Sequence, residues 1–299
     1  MSAKKHHFVP VCYLREWCAE DGMITVYRKD NPNNPYRQIP QKIGLRKYYY
    51  SQPTPDGNRD NERLEQFFSR EIETKWPLMV QRMQANENIN DDLIYMTKFI
   101  VAQRVRVPAA RDSIERFLAA SVKAETLKLR SKGKLPSLPI GMEDQLDNVE
   151  VSIDPHMSIH AMIEMALGLG TILDGVGFQV LNNNTDINFL TSDNPVIYFD
   201  PTTIYEAMRP YSVQLGGPIS FYMPVTSTLM LYGHSSKKDH FARKGLEYAI
   251  VEDRDKVAAI NNLIVRFAYE AVYSSGKYDK VDIVTNAHLS PILEVNSPP

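Results

Sequence analysis

Between Leu93 and Phe117, apolar residues recur at helical spacing: Leu93, Met96, Ile100, Val107, Ala110, Ile114 and Phe117. The centre of that stripe is held by Gln103 and Arg104. Arg111 follows about two helical turns after Arg104, so both arginines project from nearly the same face. An unpaired guanidinium is costly to bury. The fold must therefore set a carboxylate or a polar cleft against a helix whose other inward residues ask for a core. Asn90-Asp91-Asp92 marks the helix start and Pro108 predicts a kink. Arg106 lies off the stripe and is expected on the surface.

The rest of the chain predicts an α+β fold, in which a helical N-terminal half packs against a small, mostly antiparallel sheet. Pro10 opens a short helix anchored by Tyr13, Leu14 and Trp17, and residues 23–27 alternate like a strand. A helix is expected over 61–84. Glu62, Glu65, Glu71 and Glu73 crowd its first half, where acids complement the helix dipole and one of them could face a site. Residues 131–155, rich in Lys, Gly, Pro and Ser, suggest a mobile connection within one domain spanning 1–299. Helix is expected again over 156–174. A strand over 178–181 is expected to pair with 187–190, and further strands over 219–223 and 228–232. A last helix, over 253–273, leaves Asn261 beside its apolar stripe.

One turn stands out. Thr191-Ser192-Asp193-Asn194-Pro195-Val196 lies between two apolar runs, as though a strand stops, presents polar groups and restarts. His6 and His7, Gln103 with Arg104 and Arg111, and Asn261 are the other polar residues set against their local pattern. Together they suit one site. Histidine is a general acid or base near neutral pH, Asp193 can orient it or pair with an arginine, and arginines grip anions. The alternative is ordinary turn chemistry and a buried polar network.

Several classes are disfavoured. A formal net charge of −2 announces no broad nucleic-acid surface, although a local basic groove is compatible with it. Cys12 and Cys18 have neither redox-pair nor zinc-ribbon spacing and are expected to be free thiols. The N-terminus lacks a signal-like apolar region, and no apolar run approaches the roughly 20 residues that span a bilayer. A cytoplasmic, membrane-free setting is the expectation. His156 and His160 are four apart but lack the Glu of a zinc-protease motif, so no metal ligands are assigned. Ser192 has no Gly-x-Ser-x-Gly setting, and no glycine-rich phosphate loop is found.

The chain resembles the DUF4238 proteins, a bacterial domain family of unknown function. The matching pieces are His6-His7-Phe8-Val9-Pro10 with Tyr13-Leu14, Phe99 to Arg111, Ser192-Asp193-Asn194-Pro195, Pro224, and Asn261 with Val272-Tyr273-Ser274. The resemblance marks Arg106 and Arg111 through their Arg-x-Pro-x-x-Arg spacing, whereas the stripe favours Arg104; both readings stand. It raises His6, His7, Asp193 and Asn194 as a site and implies no activity. The function expected is a hydrolase, nuclease- or phosphodiesterase-like, acting on a nucleotide or nucleic acid, with an optional divalent metal. Catalysis is expected at His6, His7, Asp193 and Asn194, and substrate binding at Gln103, Arg104, Arg106, Arg111 and Asn261. A non-catalytic module for an anionic ligand is the alternative.

Overall fold

The computed structural model describes residues 5–136, 149–208, 210–214, 216–276, 278 and 281–292. In chain order the elements are β1 (Lys5–His7), α1 (Val11–Arg15), β2 (Ile24–Arg28), β3 (Tyr36–Gln38), β4 (Leu45–Lys47), β5 (Gln52–Pro53), β6 (Arg59–Asp60), α2 (Arg63–Phe67), α3 (Trp76–Gln84), α4 (Leu93–Val105), α5 (Pro108–Ser131), α6 (Pro155–Leu173), β7 (Gly177–Asn183), β8 (Thr191–Ser192), β9 (Ile197–Phe199), β10 (Ser220–Pro224), β11 (Leu229–His234), α7 (Lys238–Lys244), β12 (Glu247–Val251), α8 (Arg254–Phe267), β13 (Ala271–Ser274) and α9 (Val281–Asn286).

Two sheets carry the architecture. One has the order β12-β7-β11-β10-β9, antiparallel except where β12 runs parallel to β7. The other, β3-β2-β13-β8, is antiparallel and takes two strands from each half of the chain. Ser192 ends β8 in the second sheet, and Ile197 begins β9 in the first. The Ser-Asp-Asn-Pro turn is therefore the crossing between sheets. Phe189, Leu190, Val196 and Ile197 are all buried around it, so the crossing runs through the core and its polar groups must find partners there.

Four expectations change in detail. The stretch 61–84 is interrupted: α2 passes into a π-helical turn over Phe68–Glu73, and α3 restarts at Trp76 with Pro77 in its first turn. The helix over 93–117 divides at Arg106-Val107, because Pro108 forces Val107 into an extended conformation and α5 begins there. Residues 187–190 form no strand; the Leu190 N–H donates to Asn261 Oδ1 at 2.9 Å instead. Of the expected connection over 131–155, residues 137–148 lie outside the described residues.

The last helix stops six residues early. Val272 carries on the helical stripe, yet it and Tyr273 sit in β13 between β2 and β8. Both are buried there. Pairing two ladders outweighs a local pattern that strands and helices share.

Helix α6 packs on α4 and α5. With α2 and α4 it lines a mainly apolar groove of about 730 Å³. By length and composition alone, its His156–Leu173 stretch is apolar enough to cross a membrane, with 28% of it buried.

Candidate functional site

The polar residues singled out from the sequence separate into three groups. The first is built by the turn itself. Asp193 Oδ1 accepts from the Tyr269 N–H at 2.8 Å, and Oδ2 accepts from Glu270 at 2.6 Å and Ala271 at 3.2 Å. The Asp193 N–H donates back to the Ala271 carbonyl at 3.0 Å. A buried carboxylate thus gathers three successive N–H groups where α8 gives way to β13. Burial pushes its pKa up to about 6, against the pull of those donors and of Lys29. Lys29 Nζ donates to the Val265 and Ala268 carbonyls at the end of α8 and to Leu289. Burial brings that amine down to about 8.

Asn261 belongs to the same frame. Its Oδ1 takes the Leu190 N–H, and its Nδ2 donates to the Asn188 carbonyl at 2.9 Å and the Tyr278 hydroxyl at 3.2 Å. Asn194 donates to the Phe267 carbonyl at 2.7 Å and to the Tyr211 hydroxyl at 2.5 Å. Asp193 and Asn261 hold backbone to backbone, which makes them positioning residues for the two sheets.

The second group lies around β1 and the π-helical turn. His6 is buried on β1; its Nδ1 accepts from the Tyr50 N–H at 2.8 Å, and its ring stacks on Tyr50. His7, next along the strand, faces the other way. Its N–H donates to Glu65 Oε1 at 3.3 Å, and its Nδ1 is 3.9 Å from the same oxygen. Both side chains keep some solvent access, 19% for His7 and 25% for Glu65. Burial lowers the His7 pKa, although the Gln41 carbonyl and the Glu73 charge favour its protonated form. Burial raises that of Glu65, partly offset by the His7 N–H and by Arg106.

Arg106 completes this group. It is buried, contrary to its expected surface place, and pairs with Glu73 Oε1 at 2.8 Å and Gln103 Oε1 at 3.0 Å. The Gln103 amide reaches on to the Phe8 carbonyl at 3.2 Å, behind His7. Three buried atoms here have no hydrogen-bond partner among the described residues: His7 Nε2, Glu65 Oε2 and Arg106 Nε. Cys12 is near enough to feel the charges of Glu73 and Arg106, and burial pushes its thiol up to about 12.

The remaining arginines go elsewhere. Arg111 donates to the Tyr49 carbonyl at 2.6 Å and the Ser158 hydroxyl at 2.7 Å, tying α5 to the segment before β5 and to α6. Arg104 lies flat on the Tyr211 ring, its guanidinium carbon 3.6 Å from the centroid. The expected single constellation is thus a frame (Asp193, Asn261), a largely buried acid–base cluster (His7 with Arg106 and Gln103) and a separate arginine on Tyr211 beside Asn194. Among the described residues no three His, Cys, Asp or Glu side chains are arranged to hold a metal.

Glu65 and Glu73 are the members that sequence patterning blurred. The excess of acids over 62–73 was the signal. The π-helical turn decides which of them point inward, because its extra residue per turn rotates Glu73 toward Arg106. A family model described as "Protein of unknown function (DUF4238)" matches residues 5–277. No curated protein and no solved structure matches the chain.

Proposed function

We propose, for a chain that belongs to the DUF4238 family, a hydrolase acting on phosphoesters, nucleotide or nucleic acid, with His7 and Glu65 as its acid–base pair. The observation that carries this reading is the joint placement of His7, Glu65 and Arg106, each with a buried hydrogen-bonding atom left unused, on side chains of which His7 and Glu65 keep some solvent access. Burial favours the neutral form of His7 that a general base requires and the protonated form of Glu65 that an acid requires.

The neighbouring thiol does not suit nucleophilic attack. Cys12, raised to about 12, is protonated near neutrality, and the thiolate is the reactive form. Water is the nucleophile in this reading. Its oxygen bonds to phosphorus as its proton passes to His7 Nε2. The P–O bond to the leaving group breaks, and Glu65 protonates the departing oxygen. Arg106 Nε faces the developing charge on the phosphoryl oxygens. A divalent metal is an optional addition, tested alongside. The free thiols Cys12 and Cys18 suit a reducing, cytoplasmic setting.

The test is cleavage of a generic phosphodiester and of single- and double-stranded nucleic acid, with and without a divalent metal, by wild type, His7→Ala and Glu65→Gln. Loss of one general acid–base group is expected to lower kcat by roughly 10²–10⁴-fold. Equal rates in wild type and His7→Ala would sink the assignment. A nucleotide that stabilises the protein and is recovered unchanged would favour a binding module instead.

A further inference from the structure

Arg104 is only 2% exposed, and among the described residues its guanidinium makes neither a hydrogen bond nor an ion pair. Its Nε and Nη1 are fully buried. It meets the face of Tyr211. At 3.6 Å that contact is a stack, so the N–H groups point along the ring edge rather than into it. A buried cation with all five donors unused is unfavourable unless something anionic meets it.

Among the described residues no carboxylate lies within ion-pair distance of Arg104. Asp193 is within electrostatic reach of Tyr211, but its oxygens are engaged by the three N–H groups of residues 269–271. The nearby Arg266 is itself cationic and is committed to the Tyr205 and Met208 carbonyls, at 2.6 and 2.7 Å. A second unused atom sits at the same aromatic ring. Asn194 is fully buried; its amide nitrogen donates to the Tyr211 hydroxyl and the Phe267 carbonyl, while its Oδ1 accepts nothing. Tyr211 is held at φ 62°, a left-handed conformation that a bulky residue adopts only under constraint. Its hydroxyl is fixed there by Asn194 and by a 3.1 Å bond to the Val196 carbonyl.

We infer that Arg104, Asn194 and Tyr211 form a buried binding site for a protonated oxyanion, hydrogen phosphate or a phosphomonoester group. Arg104 donates to the charged oxygens, and the free Asn194 Oδ1 accepts the proton that such an anion still carries near neutral pH. Sulfate, which carries no proton there, offers Arg104 the same charge and leaves Asn194 unmatched. Arg106, just past the end of α4, turns toward Glu73 and Gln103 bonds it there, so this is a different place from the His7 pair. It requires binding alone, and it can fail or hold whether or not any phosphoester is cleaved.

The experiment is a titration of the whole chain with inorganic phosphate, read by thermal unfolding and by calorimetry, with sulfate at matched ionic strength. The variants are Arg104→Met and Tyr211→Phe. Wild type is expected to bind phosphate saturably, with a Tm rise of about 5 °C at roughly a hundredfold excess over Kd, and to respond little to sulfate. Arg104→Met is expected to lose the response and, in phosphate-free buffer, to melt no lower than wild type, because it removes an uncompensated buried charge. Should Arg104→Met fail to fold, hydrogen exchange on wild type decides: phosphate is expected to slow exchange around Tyr211. No saturable heat, an unchanged response in Arg104→Met, or an equal response to sulfate would each overturn the proposal.

Discussion

Asp193 and His7 are both polar groups inserted into apolar surroundings, and they differ in how their bonding capacity is used. Every oxygen of Asp193 is met by backbone N–H groups, and the residues it holds, 269–271, are the joint between α8 and β13. His7 and its neighbours are half-satisfied and partly open to water. A saturated buried network specifies structure; an unsaturated one with a partly exposed edge is free to meet a ligand. The contrast separates positioning from chemistry more clearly than residue type does, since a buried Asp and an N-terminal His look equally catalytic on paper.

The strongest way to break the comparison is Asp193→Ala. It breaks three hydrogen bonds to a buried carboxylate and leaves the Ala271 N–H buried without a partner, so a loss of about 3 kcal/mol in urea unfolding is expected. A loss below ~1 kcal/mol would mean the joint does not depend on the carboxylate.

The pH dependence sharpens the same point. The folded carboxyl titrates near 6, above its ordinary 3.8. Its contribution is therefore fully present below the unfolded value and is lost as pH rises through about 6. Wild type should lose about 2–3 kcal/mol more than Asp193→Asn between roughly pH 4 and 7. Identical slopes would show that the donors and Lys29 hold the group at its ordinary value.

Asn261→Ala should cost about 2 kcal/mol, the price of three bonds around Leu190 and Asn188, and leave any hydrolytic rate per folded molecule unchanged. His7→Ala stands at the other end. Its partial exposure predicts less than about 1 kcal/mol of lost stability, with the loss appearing in turnover instead. A His7 variant that unfolds like Asp193→Ala would erase the distinction.

Much of the framework was legible. Helical periodicity located α4, α6 and α8, alternation located β2, two apolar runs around Pro224 located β10 and β11, and Pro108 marked the break between α4 and α5. Gln103, Arg104 and Asn261 announced themselves as polar residues on apolar stripes, and all three are buried. The blurred positions have specific causes. Arg106 looked solvated because the stripe was projected through a helix that actually ends at Val105. Glu73 looked like one more acid until the π-helical turn aimed it at Arg106. Val272 and Tyr273 fit a helix as well as a strand until β2 and β8 flanked them.

Local pattern, by itself, determined the class of fold, the elements and the short list of polar residues that could not be ordinary. It did so because periodicity and charge burial are properties of a few adjacent residues. Which of those residues meet was decided only by tertiary structure. The Ser192-Asp193-Asn194 turn became a frame because it crosses between two sheets next to the end of α8, and His7 became a candidate base because β1 pairs with β4 and sets it against Glu65. Those contacts join residues 58 to 78 positions apart, far beyond any local period.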